Sequence, residues 1–211
     1  MKVCLVNGSP HKEGCTYTAL SEVARTLEEE NIAAEIFWIG NKPLGGCTAC
    51  GGCASLGRCV FDDKVNEFRA RIKEFDGFVF GSPVYYASVA GNMKAFMDRL
   101  FHAESLSNGS WDFYLKPAAA VISARRAGTT AAFDELNKYL TISQMPVVSS
   151  RYWNMVHGNN AAEVLQDKEG LYTMRVLGRN MAYLLKCIEA GRRAGLDLPA
   201  QEPVVTTNFV R

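Results

Sequence analysis

Residues 2–20 read KVCLVNGSPHKEGCTYTAL, and this stretch predicts a buried strand, a tight loop and the start of a helix. Val3 to Val6 form a short apolar run, which is typical of a parallel strand covered on both faces. Gly8 and Gly14 bracket a loop of small and polar residues. Beyond the loop, apolar residues recur at the spacing of one helix face: Ala19, Leu20, Val23, Ala24 and Leu27.

The loop between this strand and helix has the composition of an anion-binding site. Small residues let backbone N–H groups approach a ligand, and the positive end of a helix dipole attracts negative charge. The motif GxxxxGK[ST] is absent because Cys15 follows Gly14, and Gly8 lies too far from Gly14 for GxGxxG. These absences argue against a nucleoside triphosphatase and a Rossmann dinucleotide site. The loop offers hydroxyl groups at Ser9, Thr16 and Thr18. They suit a single terminal phosphate such as that of FMN, and an ordinary strand-to-helix turn is the alternative.

Composition excludes several classes of protein. A formal net charge of +1 gives no reason to expect nucleic acid or an acidic membrane as a partner. Met1 and Lys2 lead directly into the first strand, so no signal peptide is expected, and no apolar run is long enough for a membrane span. Seven cysteines, an odd number, favour reduced thiols or metal ligands over a disulfide framework. We therefore expect a cytoplasmic protein.

Strands and helices alternate along the chain to about residue 190. The predicted strands after the first lie at 33–39, at 77–80, at 118–122 and near Val147. The predicted helices lie at 16–30, after Asp62 and Asp63, from Met93 to Leu100, at 130–140 and at 171–190. Short buried strands that alternate with helices indicate an α/β fold with a doubly wound parallel sheet. Five such units fit the flavodoxin-like strand order. We predict a single domain over residues 1–211, with a cysteine-rich loop at 44–60 and a C-terminal extension from about 151 to 211.

Three unusual loops follow three of these strands, at residues 7–18, 82–89 and 123–130. The carboxyl ends of parallel strands share one edge of the sheet, so the three loops are expected to meet there. Tyr85 and Tyr86 can flank a flat ring or hydrogen-bond its edge, or they are core or interface aromatics. In the third loop a backbone N–H can stabilise charge on a reduced flavin. Its two arginines, Arg125 and Arg126, attract the phosphate of a nicotinamide cofactor or face solvent.

Four cysteines lie close together in the sequence CTACGGCASLGRC. Cys47, Cys50, Cys53 and Cys59 have the spacing CxxCxxCxxxxxC. Three cysteines at such spacing can bind three corners of an iron–sulfur cube, and a fourth closes it, so one [4Fe–4S] centre is the natural count. Zinc fits less well because structural zinc sites usually use two knuckles separated by a longer spacer.

The segments GSPHKEGCTYTAL, GSPVYYASVAGNMKAFMDR and SARRAGTT together resemble NADPH-dependent FMN reductases of flavodoxin-like fold. The likeness runs from Met1 to about Leu140. Within that group, CTACGGCASLGRCVFDD is similar to the compact cysteine motif of iron–sulfur flavoproteins. Other relatives carry similar cysteines without a described cluster, and there the loop packs beside the flavin, so both interpretations stay open.

The resemblance implies that FMN lies across the three loops, with its phosphate near Ser9, His11, Thr16 and Thr18. It places the ring against Pro83 to Tyr86 and near Arg126 to Thr129. The family commonly has Arg where this chain has His11. The full set of predicted cofactor contacts is Ser9, His11, Cys15, Thr16, Tyr17, Thr18, Pro83, Val84, Tyr85, Tyr86, Ser123, Arg125, Arg126, Gly128 and Thr129. In the extension after residue 151, Trp153 and His157 either cover a neighbouring subunit's flavin or serve packing.

These observations predict an FMN-dependent oxidoreductase that takes electrons from NAD(P)H and passes them to a small-molecule acceptor. Flavin chemistry requires no acid–base pair, so no catalytic side chain is assigned. One alternative is an iron–sulfur flavoprotein that carries electrons without NAD(P)H turnover. The other is an interaction module stapled by zinc. The resemblance also implies a homodimer or homotetramer.

Overall fold

The computed structural model describes residues 1–106, 112–203 and 205–209. The strands in this part of the chain are β1 (Lys2–Asn7), β2 (Ala33–Trp38), β3 (Gly77–Tyr85), β4 (Ser88–Val89), β5 (Ala118–Ala124) and β6 (Met155–His157). The helices are α1 (Cys15–Glu29), α2 (Gly52–Leu56), α3 (Lys64–Arg69), α4 (Gly91–Leu106), α5 (Thr129–Ile142), α6 (Ala161–Val164) and α7 (Lys168–Arg193), with a 3₁₀ turn at Ile72–Glu74.

Five strands form a parallel sheet in the order β2-β1-β3-β5-β6, and β4 pairs antiparallel with the end of β3. The chain leaves β1 in one direction to form β2, and then crosses back over β1 to form β3. The strand order therefore reverses between β1 and β3, and ligands of open parallel sheets bind in the crevice at such a point. The predicted α/β architecture with five parallel strands is confirmed.

Both faces of the sheet are buried because successive side chains of each strand point to opposite sides. On one face, Cys4 and Val6 of β1 pack with residues of α3, α4 and α5. On the other face, Val3 and Leu5 pack with residues of α1, α6 and α7. Asp63 caps α3, since the Val65 N–H donates to Asp63 Oδ1 at 3.0 Å. None of the helices in the described ranges is both long and apolar enough to cross a membrane.

The last parallel strand differs from the prediction. Val147 forms only an isolated bridge to Ala118, and the strand proper is β6, whose Met155 pairs with Ile122. The chain thus advances eight positions from Val147 to Met155, whereas β5 advances four from Ala118 to Ile122. The Asn154 Nδ2 donates to Ala120 O at 3.1 Å, so a side chain occupies a place that a strand N–H normally takes.

The third strand is longer than predicted. Gly81, Ser82 and Pro83 continue β3 and pair with Val121, Ile122 and Ser123 of β5. The segment predicted as a loop at 82–89 is therefore the end of a strand followed by a hairpin. Tyr85 pairs with Ser88, which leaves Tyr86 and Ala87 as the turn.

Candidate functional site

The loop after β1 is held in shape by its own side chains. The Ser9 N–H donates to Asn7 Oδ1 at 3.0 Å, and the His11 N–H donates to Ser9 Oγ at 3.1 Å. The Asn7 Nδ2 donates to Lys12 O at 3.0 Å. Asn7 is fully buried, so this asparagine pins the loop to the end of the strand. Such local side-chain bonds build tight turns without help from a ligand.

Gly8 brings the loop close to the end of β3. Its N–H donates to Gly81 O at 2.8 Å. A Cβ at Gly8 would lie 2.5 Å from Met93 Sδ and 2.8 Å from Gly81 O, so only glycine fits. This contact closes the floor of the crevice between β1 and β3.

Two buried hydroxyl groups connect the first loop to the third. Thr16 Oγ1 and Ser123 Oγ lie 2.8 Å apart, and each residue is at most a few per cent exposed. Thr16 belongs to the first turn of α1, and Ser123 lies near the end of β5. Thr18 points its hydroxyl elsewhere, because Thr18 Oγ1 donates to Gly14 O at 3.1 Å.

The hairpin after β3 forms one side of the site. The Ala90 N–H donates to Ser82 Oγ at 3.1 Å, and Ser82 Oγ donates to Pro83 O at 2.9 Å. Tyr86 has a φ of +57° and stands fully exposed at the tip of the hairpin. The Tyr86 side chain therefore makes no core contact and does not line the site. Ser88 hydrogen-bonds Glu135 of α5, which ties the hairpin to its neighbour.

The loop after β5 closes onto this hairpin. Gly128 has a φ of +92°, and a Cβ there would lie 2.9 Å from Val84 Cγ1. Glycine is therefore required both by the backbone conformation and by the contact. Thr129 is buried, whereas Arg125 and Arg126 are exposed.

These loops enclose a cleft of about 280 Å³ at the carboxyl ends of the strands. Its lining comes from every loop predicted to meet there and from the chain after β6. The lining residues are Ser9, His11, Cys15, Thr16, Pro83, Val84, Tyr85, Ser123, Ala124, Arg125, Gly158 and Asn159. The predicted residues that lie outside the lining are Tyr17, Thr18, Tyr86, Arg126, Gly128 and Thr129.

Burial affects two ionisable groups in the cleft. Burial raises the pKa of the Tyr85 hydroxyl, although a hydrogen bond with Ser9 partly offsets it. Burial also raises the pKa of the Cys15 thiol, whose Sγ donates to Gly158 O at 3.5 Å. Both groups therefore keep their protons at neutral pH and can act as hydrogen-bond donors.

The cysteine-rich loop after β2 is anchored to two helices. Asn66 of α3 accepts from the Cys59 N–H and donates to the carbonyls of Cys59 and Phe61, at 2.8–3.0 Å. Asn92 of α4 accepts from the Leu44 N–H at 3.1 Å. The Arg99 side chain reaches the loop from the same helix and donates to Cys59 Sγ at 3.2 Å.

Cys47, Cys50, Cys53 and Cys59 all line one small cavity of about 20 Å³. A hydrogen bond from the Gly52 backbone N–H, together with one from Thr48, lowers the pKa of the Cys50 thiol. As placed in the described part of the chain, no three His, Cys, Asp or Glu side chains are close enough to hold one metal ion. The four predicted cysteine ligands thus line one cavity, but no three of them are close enough to bind one metal ion.

Residues 1–160 match the family model of NADPH-dependent FMN reductases. The chain belongs to the NADPH-dependent FMN reductase family. The predicted resemblance is confirmed, and the match extends past Leu140, where the recognised likeness ends. Membership makes the chain a flavoprotein oxidoreductase with FMN as its cofactor.

Individual relatives extend this comparison over nearly the whole chain. An iron-sulfur flavoprotein of Methanocaldococcus jannaschii is 32% identical over 198 residues, which cover 90% of this chain and 100% of that protein. An iron-sulfur flavoprotein of Methanosarcina thermophila is 25% identical over 197 residues, with 91% of this chain and 99% of that protein covered. A flavodoxin from the domain Archaea has a TM-score of 0.58 at 18% identity, with 88% of this chain and 99% of that chain covered. The last likeness shows the flavodoxin-like fold.

Three cleft residues of this FMN reductase family member were missed by sequence reasoning, namely Ala124, Gly158 and Asn159. Ala124 carries no chemical signal. Gly158 and Asn159 follow the apolar residues of β6 and precede Asn160, whose side chain caps α6 by accepting from the Glu163 N–H. A short apolar run followed by Gly-Asn-Asn is the signal that could have revealed them, because such residues mark a strand end and a helix start.

Proposed function

We propose that this protein binds FMN in the cleft and passes electrons from NADPH or NADH to a small-molecule acceptor. The single observation that carries the proposal is the hydrogen bond between Thr16 and Ser123 at the start of α1. It joins two loops from separate parts of the chain at the point where a flavin phosphate is expected. Family membership supports FMN as the cofactor. The identity of the electron donor has to be established by experiment.

The start of α1 is suited to hold the phosphate. No side chain caps the helix at Gly14, and its first turn contains no acidic residue. The free N–H groups and the dipole of such a turn attract an anion. Thr16 and Ser123 share one hydrogen bond, which uses one of their two hydroxyl protons and leaves the other for the ligand. The Thr18 proton is already donated to Gly14 O, so Thr18 contributes less.

The other side of the cleft is suited to a flat aromatic ring. Pro83, Val84 and Tyr85 present an apolar wall with one hydroxyl donor. Gly128 packs against Val84 and begins α5, which has no side-chain cap and no acidic residue in its first turn. A second positive helix end therefore lies beside this wall and can stabilise negative charge on a reduced ring.

Bound FMN supplies the hydride and electron chemistry, and the protein supplies binding, orientation and access. Tyr85 keeps its proton at neutral pH, so it can donate a hydrogen bond to the ring edge. Arg125 lines the cleft and is exposed, which places a positive charge where a phosphate of a nicotinamide cofactor can reach it. The hairpin tip at Tyr86 leaves this side of the cleft open to a second molecule.

We further propose that Cys47, Cys50, Cys53 and Cys59 bind one [4Fe–4S] cluster. The donor chemistry fits, because four sulfurs line one cavity and hydrogen bonds favour the thiolate form at Cys50. The names of the archaeal relatives support this proposal. The sulfurs must draw together when the cluster assembles. The cluster would connect the flavin to a one-electron partner.

One spectrum with metal analysis separates the candidate functions. The proposal predicts a brown protein with bound flavin and about four irons per chain. Yellow protein without iron would support the flavin function and contradict the proposed cluster. Colourless protein that contains zinc would contradict both and support an interaction module.

Turnover with NADPH or NADH and a dye then tests the enzyme against a simple electron carrier. NADPH or NADH is expected to bleach the bound flavin before the dye is added, and then to reduce the added dye at a steady rate. Flavin that stays oxidised with both nucleotides, yet is reduced by dithionite, would contradict the enzyme and support the carrier. Replacing Arg125 with Ala is expected to raise the KM for the nucleotide more than it lowers kcat.

A further inference from the structure

Arg99 is a buried cation that directs its whole side chain at the cysteine-rich loop. It lies in the middle of α4, and its side chain is 1% exposed. Its hydrogen bonds all end on residues of 45–63: the carboxylate of Asp63 at 2.7 and 3.0 Å, Gly45 O at 3.3 Å, Phe61 O at 3.1 Å and Cys59 Sγ at 3.2 Å. A buried charge requires such pairing to be tolerated.

The bond to sulfur is separate from the bonds that anchor the loop. Asp63 binds both terminal nitrogens of Arg99, which satisfies the charge. The carbonyls of Gly45 and Phe61 take further protons and hold the backbone. The remaining Nε–H donates to Cys59 Sγ, although Asn66 already positions the Cys59 backbone from both sides. The Nε–H is therefore available to act on the sulfur itself.

A hydrogen bond to a ligand sulfur stabilises the more negative state of an iron–sulfur centre. Reduction adds one electron, and part of the added charge falls on the ligand sulfurs. A donor that is attached to a permanent cation and shielded from water strengthens this effect, because the interaction is little screened.

Building on the cluster proposed above, we propose that Arg99 is a positioning residue for Cys59 and raises the reduction potential of the [4Fe–4S] centre. It does so through the Nε–H···Sγ bond. Arg99 thus sets how readily the centre accepts an electron from an outside donor.

The test is a potentiometric titration of the reconstituted holoprotein, with the reduced cluster followed by electron paramagnetic resonance. The variant combines Arg99→Gln with Asp63→Asn, so that no buried charge is left unpaired. We expect a tenfold shift of the cluster's reduction equilibrium toward the oxidised form, which corresponds to about 59 mV for one electron. The flavin potential, read from the visible spectrum of the same sample, is expected to stay unchanged.

A control removes one positive charge near the loop without touching sulfur. Lys64 follows Asp63 and pairs with Glu67, and its side chain is 41% exposed. Lys64→Gln is expected to change the cluster potential by only a small fraction of the shift seen for the Arg99 variant, because solvent and salt screen a charge at the surface.

A cluster potential that stays at the wild-type value in a variant with full iron content would overturn this role of Arg99, while the proposed cluster would stand. Failure of the wild-type protein to bind iron is a different result, which would remove the proposed cluster before any variant is made. If the neutral pair does not retain iron, Arg99→Lys is titrated instead. Lysine keeps the charge beside Asp63 but loses the forked geometry, so a smaller shift in the same direction is expected, and no shift would overturn the role.

Discussion

Among single residues, Gly8 determines how closely the first loop approaches β3. A methyl group at this position would overlap Met93 Sδ and Gly81 O, at 2.5 and 2.8 Å. We expect Gly8→Ala to lower the free energy of unfolding by about 1–3 kcal/mol, since overpacking forces side chains or backbone to move.

Urea denaturation of the two proteins checks this prediction. Gly45→Ala is the matched control, because a Cβ there meets nothing within 4 Å. Equal stability of Gly8→Ala and Gly45→Ala would show that the crevice between β1 and β3 is looser than described.

Among single residues, we expect the hydroxyl pair of Thr16 and Ser123 to contribute most to FMN affinity. Ser123→Ala removes one hydroxyl and leaves Thr16 without this hydrogen-bond partner. We expect the Kd for FMN to rise about tenfold, or about 1.4 kcal/mol. Fluorescence titration measures this, with Thr141→Val as a control at the opposite end of α5. An unchanged Kd would mean that the pair serves only to hold the loops together.

Residues that carry a chemical signal close to a strand end were predictable from sequence. Ser9, Thr16 and Ser123 stand out because they are polar and lie at or beyond the ends of buried strands. Asn66 and Arg99 gave no such signal. Asn66 bonds the Cys59 backbone across a loop, and Arg99 bonds Cys59 Sγ from a helix far along the chain. Tyr86 was predicted at the ring, but the turn that contains it points its side chain into solvent.

Between elements, an ion-pair network joins the edge of the sheet to the segment after α3. Arg71 donates to both oxygens of Glu35 on β2, at 2.6 and 2.9 Å, and Lys2 of β1 lies 2.8 Å from the same carboxylate. The hydrogen bonds from Arg71, supported by Lys2, lower the pKa of Glu35 to about 2.

This network predicts a loss of stability in acid. A carboxylate whose pKa is lowered on folding contributes stability above its unfolded pKa, near 4.3, and loses it as pH falls through the folded value. We expect unfolding midpoints in urea to decline between about pH 4.5 and pH 2, and Glu35→Gln to flatten part of that decline. Glu67→Gln serves as an exposed control, and equal acid profiles for the two variants would contradict the assignment.

Helices and their bounds were more predictable than the last strand. The spacing of apolar residues places α1, α5 and α7 within a few residues of their observed limits. No local pattern indicates that the chain leaves the sheet after Val147 and returns at Met155. That detour depends on the Asn154 side chain, which bonds Ala120 O across the gap.

For the molecule as a whole, the strand order brings loops from five strands to one edge. The loop after β1, the hairpin after β3 and the loop after β5 meet there because their strands are parallel and adjacent. Sequence alternation was sufficient to predict this convergence. It was not sufficient to predict the oligomeric state, and the expected homodimer or homotetramer stays a prediction that sedimentation equilibrium can check.

Ligand binding at this edge should stabilise the whole fold. At free FMN one hundredfold above its Kd, the free energy of unfolding is expected to rise by about 2.7 kcal/mol, provided that the unfolded chain does not bind FMN. Thermal unfolding with and without FMN measures the effect. A midpoint that does not change with FMN concentration would mean that the folded chain does not bind FMN.

The fluorescence of FMN titrated with the purified protein, followed by desalting, tests most directly whether the cleft binds FMN. Three strand-end loops that grip one flavin predict saturable quenching and yellow protein after the column. Fluorescence that stays at the free FMN level, together with colourless protein in the eluate, would contradict FMN binding at this edge of the sheet.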